Sequence, residues 1–488
     1  MNPLLKTATM GIIAVATTLA AAAFYPWPEP VVQSEMVGKP LFEPFESSRV
    51  RSISIVSYNR ERAALERFQI LRKGEKWIIP SHKNYMADNS AQISAAVSAL
   101  SGKVLENSSS DQKDHVDFGV VDPLEFESTT NRSSLGTRIV LEDRNQRELG
   151  SLIVGSRVGS KSQTDERRRF VRVPGQPHVY EMEINPAALE TDFTRWVNTN
   201  LLQLSKEFPV DKLAINNYRL DSSQPDASKK EWKYSAIFDL QNQSTELLAP
   251  AGDDQQLESI GLTESYEQQI LGLANFIGNL RFTEVVKNSS AITAALKKRE
   301  LDDLAVFDEL KALGFVAKFD DGLEASKARN KSLRFEAVAG ELVVHFADGV
   351  SVSVLFGNLA ETTSTGDLSL KHHVMLRASV DESRFPIPAP PAKDLDSLSE
   401  QQRKSYLREQ ENRQAKIKSA TQRAADMNQL YADWIYIISE DIINGLRPDL
   451  QIEAPVLARP QPSSTEKPEK ESDEQDEAGS DDASDEES

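Results

Sequence analysis

The sequence predicts an α+β fold of tandem duplicated units, each a mostly antiparallel sheet with a packed amphipathic helix. Three observations carry this prediction. Short β-branched segments alternate with polar turns along most of the chain, at the period of strands. Two stretches about two hundred residues apart then repeat one series of motifs. Phe118-Gly119-Val120, Arg138–Asp143, Leu152–Gly155 and Phe170–Val173 are matched by Leu313-Gly314-Phe315, Leu342–Asp348, Val354–Gly357 and His373–Leu376, in the same order. Gly119 to Gly314 is 195 residues, Gly155 to Gly357 is 202 and Val171 to Val374 is 203, so the register holds. Finally, the second copy is broken by a polar, helix-favouring run, which predicts a long helical insertion in that unit.

The elements follow in chain order. Thr7 to Phe24 carries no charge and follows Lys6. As a helix it is ~27 Å long, enough to span a bilayer core. The positive-inside bias keeps the N-terminus in the cytoplasm and exports the body. A retained single-pass anchor (residues 1–25) and a signal peptide cleaved near Ala21-Ala22-Ala23 both stay open. Pro26, Pro28, Pro30, Pro40 and Pro44 make residues 26–48 an extended stalk.

The first unit spans 49–204. Val50, Ile53 and Ile55 form a hairpin with Phe68, Ile70 and Leu71, a turn at Gly74-Glu75 follows, and Trp77-Ile78-Ile79 is a short strand. Asp88 is the expected N-cap of a helix over 89–105, whose apolar face is Ile93, Val97, Leu100 and Val104. Turns are expected at Asp143-Arg144 and Gly155-Ser156. Tyr180–Ile184 is the last strand, Asn185-Pro186 opens a short helix, and Trp196, Leu201, Leu202 and Leu204 close the unit.

The second unit spans 205–456, with strands from about Val210. Tyr266, Ile270, Leu273, Ile277 and Leu280 mark its central helix. Its final strand is Trp434–Ile438, followed by a helix over Glu440–Leu446. The insertion, about 385–430, starts with Phe385–Pro391 and continues as a helical arm ~50 Å long. Its composition suggests a coiled coil, but Leu398, Tyr406, Leu407, Ile417, Met427 and Leu430 are too sparse for a firm heptad. Residues 457–488 are too polar and acidic to offset their ordering entropy, which predicts a disordered tail.

Charge narrows the partners. The net charge is -19. Twelve acidic residues and two lysines from Glu466 onward account for -10 of it, so the body is only mildly acidic. That balance disfavours nucleic acid, whose phosphates need a basic footprint. The chain has no cysteine, which removes disulfides, thiolate catalysis and Cys-type zinc sites.

Candidate chemistry is sparse. Adjacent His372 and His373 on a strand point to opposite faces and do not share a metal easily. His345 reads as a half-buried strand residue; His82, His115 and His178 stand alone. Arg167-Arg168-Arg169 with Arg172 is the densest basic cluster, either a contact for an acidic partner or charged decoration of a hairpin edge. Asp253-Asp254, Asp302-Asp303 and Asp320-Asp321 lack calcium-loop spacing and read as turns. Gly155–Gly159 lacks the ending of a phosphate loop. Trp77, Trp196, Trp232 and Trp434 read as core, and Trp27 as an interfacial aromatic. No catalytic, cofactor-binding or metal-binding residue is assigned, and no metal or cofactor is expected.

Lys76–Pro80 followed by Ala87-Asp88, Phe118-Gly119-Val120, the strand-Gly-strand series and Ala432–Tyr436, with the apolar N-terminus, resemble the bacterial domain-of-unknown-function family 4340 (DUF4340). The resemblance covers about 49–450 in repeated copies. It implies an α+β repeat in an envelope protein, often encoded beside ABC-transporter components related to gliding-motility systems, and no catalytic residues. Glu231-Trp232-Lys233 departs from the pattern and puts the second unit's first strands in doubt. The expectation is a non-enzymatic, membrane-tethered scaffold or accessory protein on the periplasmic side, with ABC-transporter subunits as protein partners. The alternatives are a glycan- or peptide-binding module with a cleft between the repeats, and an unrecognised hydrolase.

Overall fold

A computed structural model describes residues 37–109, 113–125, 127, 131–159, 167–202, 204–221, 230–251, 255–261, 277–298, 304–319, 333–360, 369–388 and 399–447. The apolar segment Thr7–Phe24, Trp27, the predicted central helix from Tyr266 to Leu273, the three acidic pairs and the acidic tail lie outside the described residues.

The described chain is α+β and mostly antiparallel. The first sheet takes β1 (Ser52–Asn59), β2 (Ala64–Lys73), β3 (Lys76–Ile79), β4 (Tyr85–Ala87), β5 (Asn107–Ser109), β6 (Thr137–Glu142), β7 (Glu148–Arg157), β8 (Arg168–Arg172) and β9 (Val179–Glu183), in spatial order 4-3-2-1-6-7-8-9-5. The second takes β10 (Val210–Leu220), β11 (Lys230–Asp239), β12 (Ser244–Ala251), β13 (Gln256–Ile260), β14 (Glu284–Lys287), β17 (Glu341–Phe346), β18 (Val350–Leu359), β19 (Lys371–Val380) and β20 (Trp434–Ser439). Its order is 13-12-11-10-17-18-19-20-14, the same path strand for strand. A separate hairpin joins β15 (Phe315–Phe319) to β16 (Leu333–Ala337).

The predicted first hairpin forms with Ile53 opposite Ile70 and Ile55 opposite Phe68. These residues share one face with Ile139, Leu141 and Leu152, and all are at most 4% exposed. Helix α1 (Ser90–Ser98) buries Ile93, Ala96 and Val97, and Trp196 packs 5.2 Å from Phe68. The helix is shorter than expected and starts one residue later. Asn89, not Asp88, caps it by accepting from the Gln92 amide, whereas Asp88 accepts from the Asn198 amide at 2.6 Å. Past the helix Val104 is 47% exposed, and Leu204 is 45% exposed. Trp77 lies on β3 but Trp232 on β11, the neighbour of its sheet's first strand. The two tryptophans therefore occupy different strand positions.

The repeated Phe/Leu-Gly motif has a physical cause. Gly119 and Gly314 take φ of 67° and 89°, a region that glycine enters without steric cost. The turn aims the preceding carbonyl at the sheet: Phe118 O accepts from Ser156 N at 2.8 Å and Leu313 O from Asn358 N at 2.9 Å. A Cβ on Gly155 or Gly357 would run into that carbonyl. The expected turn at Gly155-Ser156 is instead continuous strand with a pairing irregularity between Val154 and Arg157.

Behind the second sheet, helices α2 (Ser290–Lys298) and α3 (Leu304–Ala312) bury Ile292, Leu296, Val306 and Leu310 with Phe315, Phe335, Leu355, Met375 and Ile435. The corresponding face of the first sheet carries a smaller cluster of Val120, Ile153 and Val179, with Phe118 and Phe170 against it.

The insertion forms helix α4 (Glu400–Tyr431), closed at its start by a Ser399–Gln402 capping box. It is a brace rather than a free arm. Tyr406, Gln410, Arg413, Ile417, Ala420, Ala424, Met427 and Tyr431 form its less exposed stripe, in alternating steps of four and three residues. Ala420 and Ala424 are small enough to bring the helix close to its support, which explains why large apolar residues are few. Arg423 reaches Asp348 at 2.7 Å and lies over the Phe208 and Phe346 rings. β20 pairs with β19 only from Lys371 to Val374. Further along, the Asn428 side-chain amide donates to Ala378 O at 2.7 Å and accepts from Ala378 N at 2.9 Å. The helix thus covers a strand edge that would otherwise be open. Leu407 and Leu430, two of the sparse apolar positions, are 45% and 60% exposed. Helix α5 (Glu440–Leu446) follows β20, as the sequence predicts.

Candidate functional site

The two halves meet through backbone and rings. Leu201 N donates to Leu280 O and Phe282 N to Thr199 O, both at 3.0 Å. The same pairing occurs at the start of the first half, where Leu41 N donates to Lys103 O at 2.9 Å and Leu105 N to Lys39 O at 3.1 Å. Residues 39–41 therefore do for the first half what 199–201 do for the second. Beside the joint, Tyr85 packs edge-on to Trp434 at 4.8 Å, Phe193 at 5.7 Å and Phe282 at 5.9 Å. Phe282 in turn lies 5.2 Å from Tyr436. Tyr85 and Tyr436 share a side-chain hydrogen bond, and burial pushes both phenols well above their ordinary range.

Next to this seam lies an open cleft of about 1040 Å³. The inner face of the first sheet is its floor. Along β1 that face runs Ile53, Ile55, Ser57, Asn59, and along β2 Ile70, Phe68, Glu66, so it passes from apolar core to polar cleft within one hairpin. Thr137, Val154 and Arg169 extend the floor, residues 186 to 194 form one wall, and Thr283, Glu284 and Lys371 come from the second half.

Glu66 organises the floor. Its carboxylate accepts from Asn59 Nδ2 at 2.7 Å and Thr191 Oγ1 at 2.8 Å, with Arg62 at 3.3 Å. On the wall, His82 stacks on Phe193 with centroids 4.1 Å apart and planes 10° apart. Burial lowers the His82 pKa below its ordinary 6.5, and the charge of Asp192 opposes that shift. Asp192 itself accepts from the Thr194 amide and hydroxyl at 2.9 Å.

The same place on the second sheet is filled. Ser57 pairs with Glu66 as Asn217 pairs with Tyr234; Thr137 pairs with Val154, where Gly340 and Phe356 are hydrogen-bonded neighbours. Tyr218, Tyr234 and Phe356 are at most 1% exposed. Arg447, from the segment after β20, lies 5.2 Å over the Phe356 ring and donates to Ala339 O. Burial pushes its guanidinium pKa down to about 10. In the first half the segment after β9 brings Thr191 to Glu66 instead.

The residues singled out from sequence mostly lie elsewhere. Arg168 pairs with Glu106 at 2.6 Å and Glu181 at 2.9 Å, and Arg167 with Glu183 at 3.8 Å. Arg172 is 5% exposed and donates to Val120 O and Gln176 O. The basic cluster is thus largely neutralised within its sheet, and only Arg169 lines the cleft. His372 Nδ1 and His373 Nδ1 lie 3.1 and 3.2 Å from the Gly357 and Asn358 carbonyls. His345 Nδ1 lies 2.7 Å from Ser351 Oγ, and His115 Nε2 is 2.7 Å from Pro177 O. Among the described residues no group of three or more His, Asp or Glu side chains is placed to hold a metal ion, and no helix is long and apolar enough to cross a membrane. Trp196 is fully buried, while Trp77, Trp232 and Trp434 are half-buried. Sequence reasoning missed Ser57, Asn59, Glu66, His82 as a cleft residue, Thr191 and Phe193. The available signal was the change from apolar to polar on one face of β1 and β2.

No curated protein and no solved structure matches the chain. A family model described as "Domain of unknown function (DUF4340)" matches residues 77–331, more than half of the sequence. The match begins at the Trp77 strand, crosses the joint between the halves and ends within the second, a narrower span than the 49–450 expected. The chain therefore belongs to the DUF4340 family.

Proposed function

We propose that this protein is a non-enzymatic binding protein of the cell envelope that holds its ligand or partner in the cleft between its halves. One observation carries the reading: equivalent places on the two sheets are open and polar in the first half, but filled by Tyr234, Phe356 and Arg447 in the second. The fold itself tolerates a filled site, so the open one is a separate property of the first half. Glu66 supports the binding reading in a positional sense: Asn59, Thr191 and Arg62 fix its carboxylate in the floor, so it presents an ordered polar surface to whatever enters.

The proposal includes a tandem duplication, supported by the shared strand order and the matched backbone pairing at residues 39–41 and 199–201. It also includes the tether at residues 7–24 and a body on the extracytoplasmic side; residues 38–45, expected in the stalk, are instead hydrogen-bonded to residues 101–105 of the body. The family resemblance supports transporter subunits as the partner class, with the protein acting as their accessory scaffold. Photo-crosslinking in the native membrane tests the whole reading. A p-benzoylphenylalanine replacing Ser81, exposed in the cleft, should capture an envelope component, and one replacing Leu407, on α4, should not. Capture at Leu407 with none at Ser81 would overturn the cleft as the recognition surface.

A further inference from the structure

We infer that the cleft takes an uncharged, hydroxyl-rich ligand, an oligosaccharide segment, laid against the His82 ring that Phe193 backs. The inference rests on the reading of the cleft as a binding site. The lining contains a flat ring pair, with Phe193 covering one face of His82. Sugar rings present C–H faces to such surfaces, while their hydroxyls seek hydrogen bonds around the edge. The groups nearby suit that edge: Ser57, Ser81, Thr137, Thr191 and Thr194 offer hydroxyls, and Asp192 and Glu190 offer carboxylates.

Charge argues against an ionic ligand. Three basic side chains (Arg62, Arg169, Lys371) and four acidic ones (Glu66, Glu190, Asp192, Glu284) line the cleft. Arg62 is paired with Glu66, and Glu190 with Arg195. Neither sign is left in excess to hook an anion or a cation. Desolvation favours a neutral His82 ring, which suits stacking against an uncharged ligand. Apolar ligands are also disfavoured. Phe68, Val154, Leu189 and Phe193 in the lining are each at most 6% exposed, so little apolar surface is left to bury. The volume of about 1040 Å³ is at the upper end of small-molecule sites, roughly 300–1,000 Å³, and the cleft is open, which suits a chain of sugars rather than a single one.

The test titrates the purified full chain with chitotetraose and maltotetraose, and separately with a neutral polar decapeptide, by calorimetry. One variant, Val154→Phe, places in the cleft the residue that fills the second half; a second, His82→Ala, removes the stacking ring. Thermal unfolding establishes that each variant is folded. At least one tetrasaccharide should bind, His82→Ala should weaken it by about tenfold, and Val154→Phe should abolish it. Peptide binding lost in Val154→Phe, with neither tetrasaccharide bound, would overturn the oligosaccharide class while leaving the cleft as a binding site. Tetrasaccharide binding unchanged in both variants would remove the ligand from the cleft. Failure of every probe, with no crosslink at Ser81, would overturn this inference and the proposed function together.

Discussion

Tyr85→Ala should uncouple the two halves. Tyr85 makes three edge-on ring contacts, with Trp434, Phe193 and Phe282, each worth ~0.5–1.5 kcal/mol beyond area burial. Its removal also leaves the hydroxyl of Tyr436, a residue only 7% exposed, without the partner that Tyr85 supplies. An orphaned buried hydroxyl costs ~1–3 kcal/mol. Tyr85 is half-buried and neighbours relax, so the contributions do not simply add. The expected loss is about 3 kcal/mol, toward the low end for deleting a core aromatic ring. Tyr85→Phe keeps the rings and loses only the hydrogen bond, so about 1 kcal/mol is expected. The assay is urea unfolding followed by tryptophan fluorescence, because Trp434 sits in the seam and Trp196 in the first core. With Tyr85→Ala the Trp434 signal should change at lower urea than the Trp196 signal, read in single-tryptophan backgrounds. In a double-mutant cycle, Tyr85→Phe and Tyr436→Phe together should cost little more than either alone. Equal losses for Tyr85→Ala and Tyr85→Phe, or coincident transitions in Tyr85→Ala, would refute the reasoning.

Further outcomes are expected. Gly155→Ala and Gly357→Ala each push a methyl into a backbone carbonyl and should destabilise by ~1–3 kcal/mol; wild-type midpoints would contradict the docking described for Phe118 and Leu313. Asn428→Ala removes both hydrogen bonds to Ala378, should cost ~1–3 kcal/mol, and should raise light scattering as β19 exposes an edge. Burial holds the pKa values of His82, His345 and His373 below the ordinary 6.5. The unfolded chain then binds protons more readily, so this stability is complete above pH 6.5 and is lost as pH falls below it. Melting temperatures from pH 8 to about pH 5 should fall, with a shallower fall in His345→Gln, and a flat profile would contradict the burial.

The sequence announced the strands well because their chemistry is local. Ile53-Ile55 against Phe68-Ile70 and the Gly155/Gly357 pair are written in alternation and in a steric need. The brace was misread for an equally physical reason. Small Ala420 and Ala424 and polar Asn428 hold α4 to the sheet, and hydropathy patterns give such contacts little weight. The cleft depends on pairings between β1, β2, β6 and β7 and on the path of residues 186–194. No single segment carries that signature. Only comparison of Glu66 with Tyr234 and Val154 with Phe356, possible once the registers are known, reveals that one half is open.

The paired segment at residues 39–41 has a mechanical consequence. Tension applied to the chain from residue 37 passes first into the hydrogen bonds between Lys39, Leu41, Lys103 and Leu105. The partners are antiparallel, so a pull along the strand axis loads these bonds side by side in shear, and they resist together instead of unzipping one at a time. The joint at 199–201 repeats the arrangement. Force carried along the backbone therefore meets a shear-loaded clip ahead of each sheet, and the clip before β1 shields the cleft floor from strain.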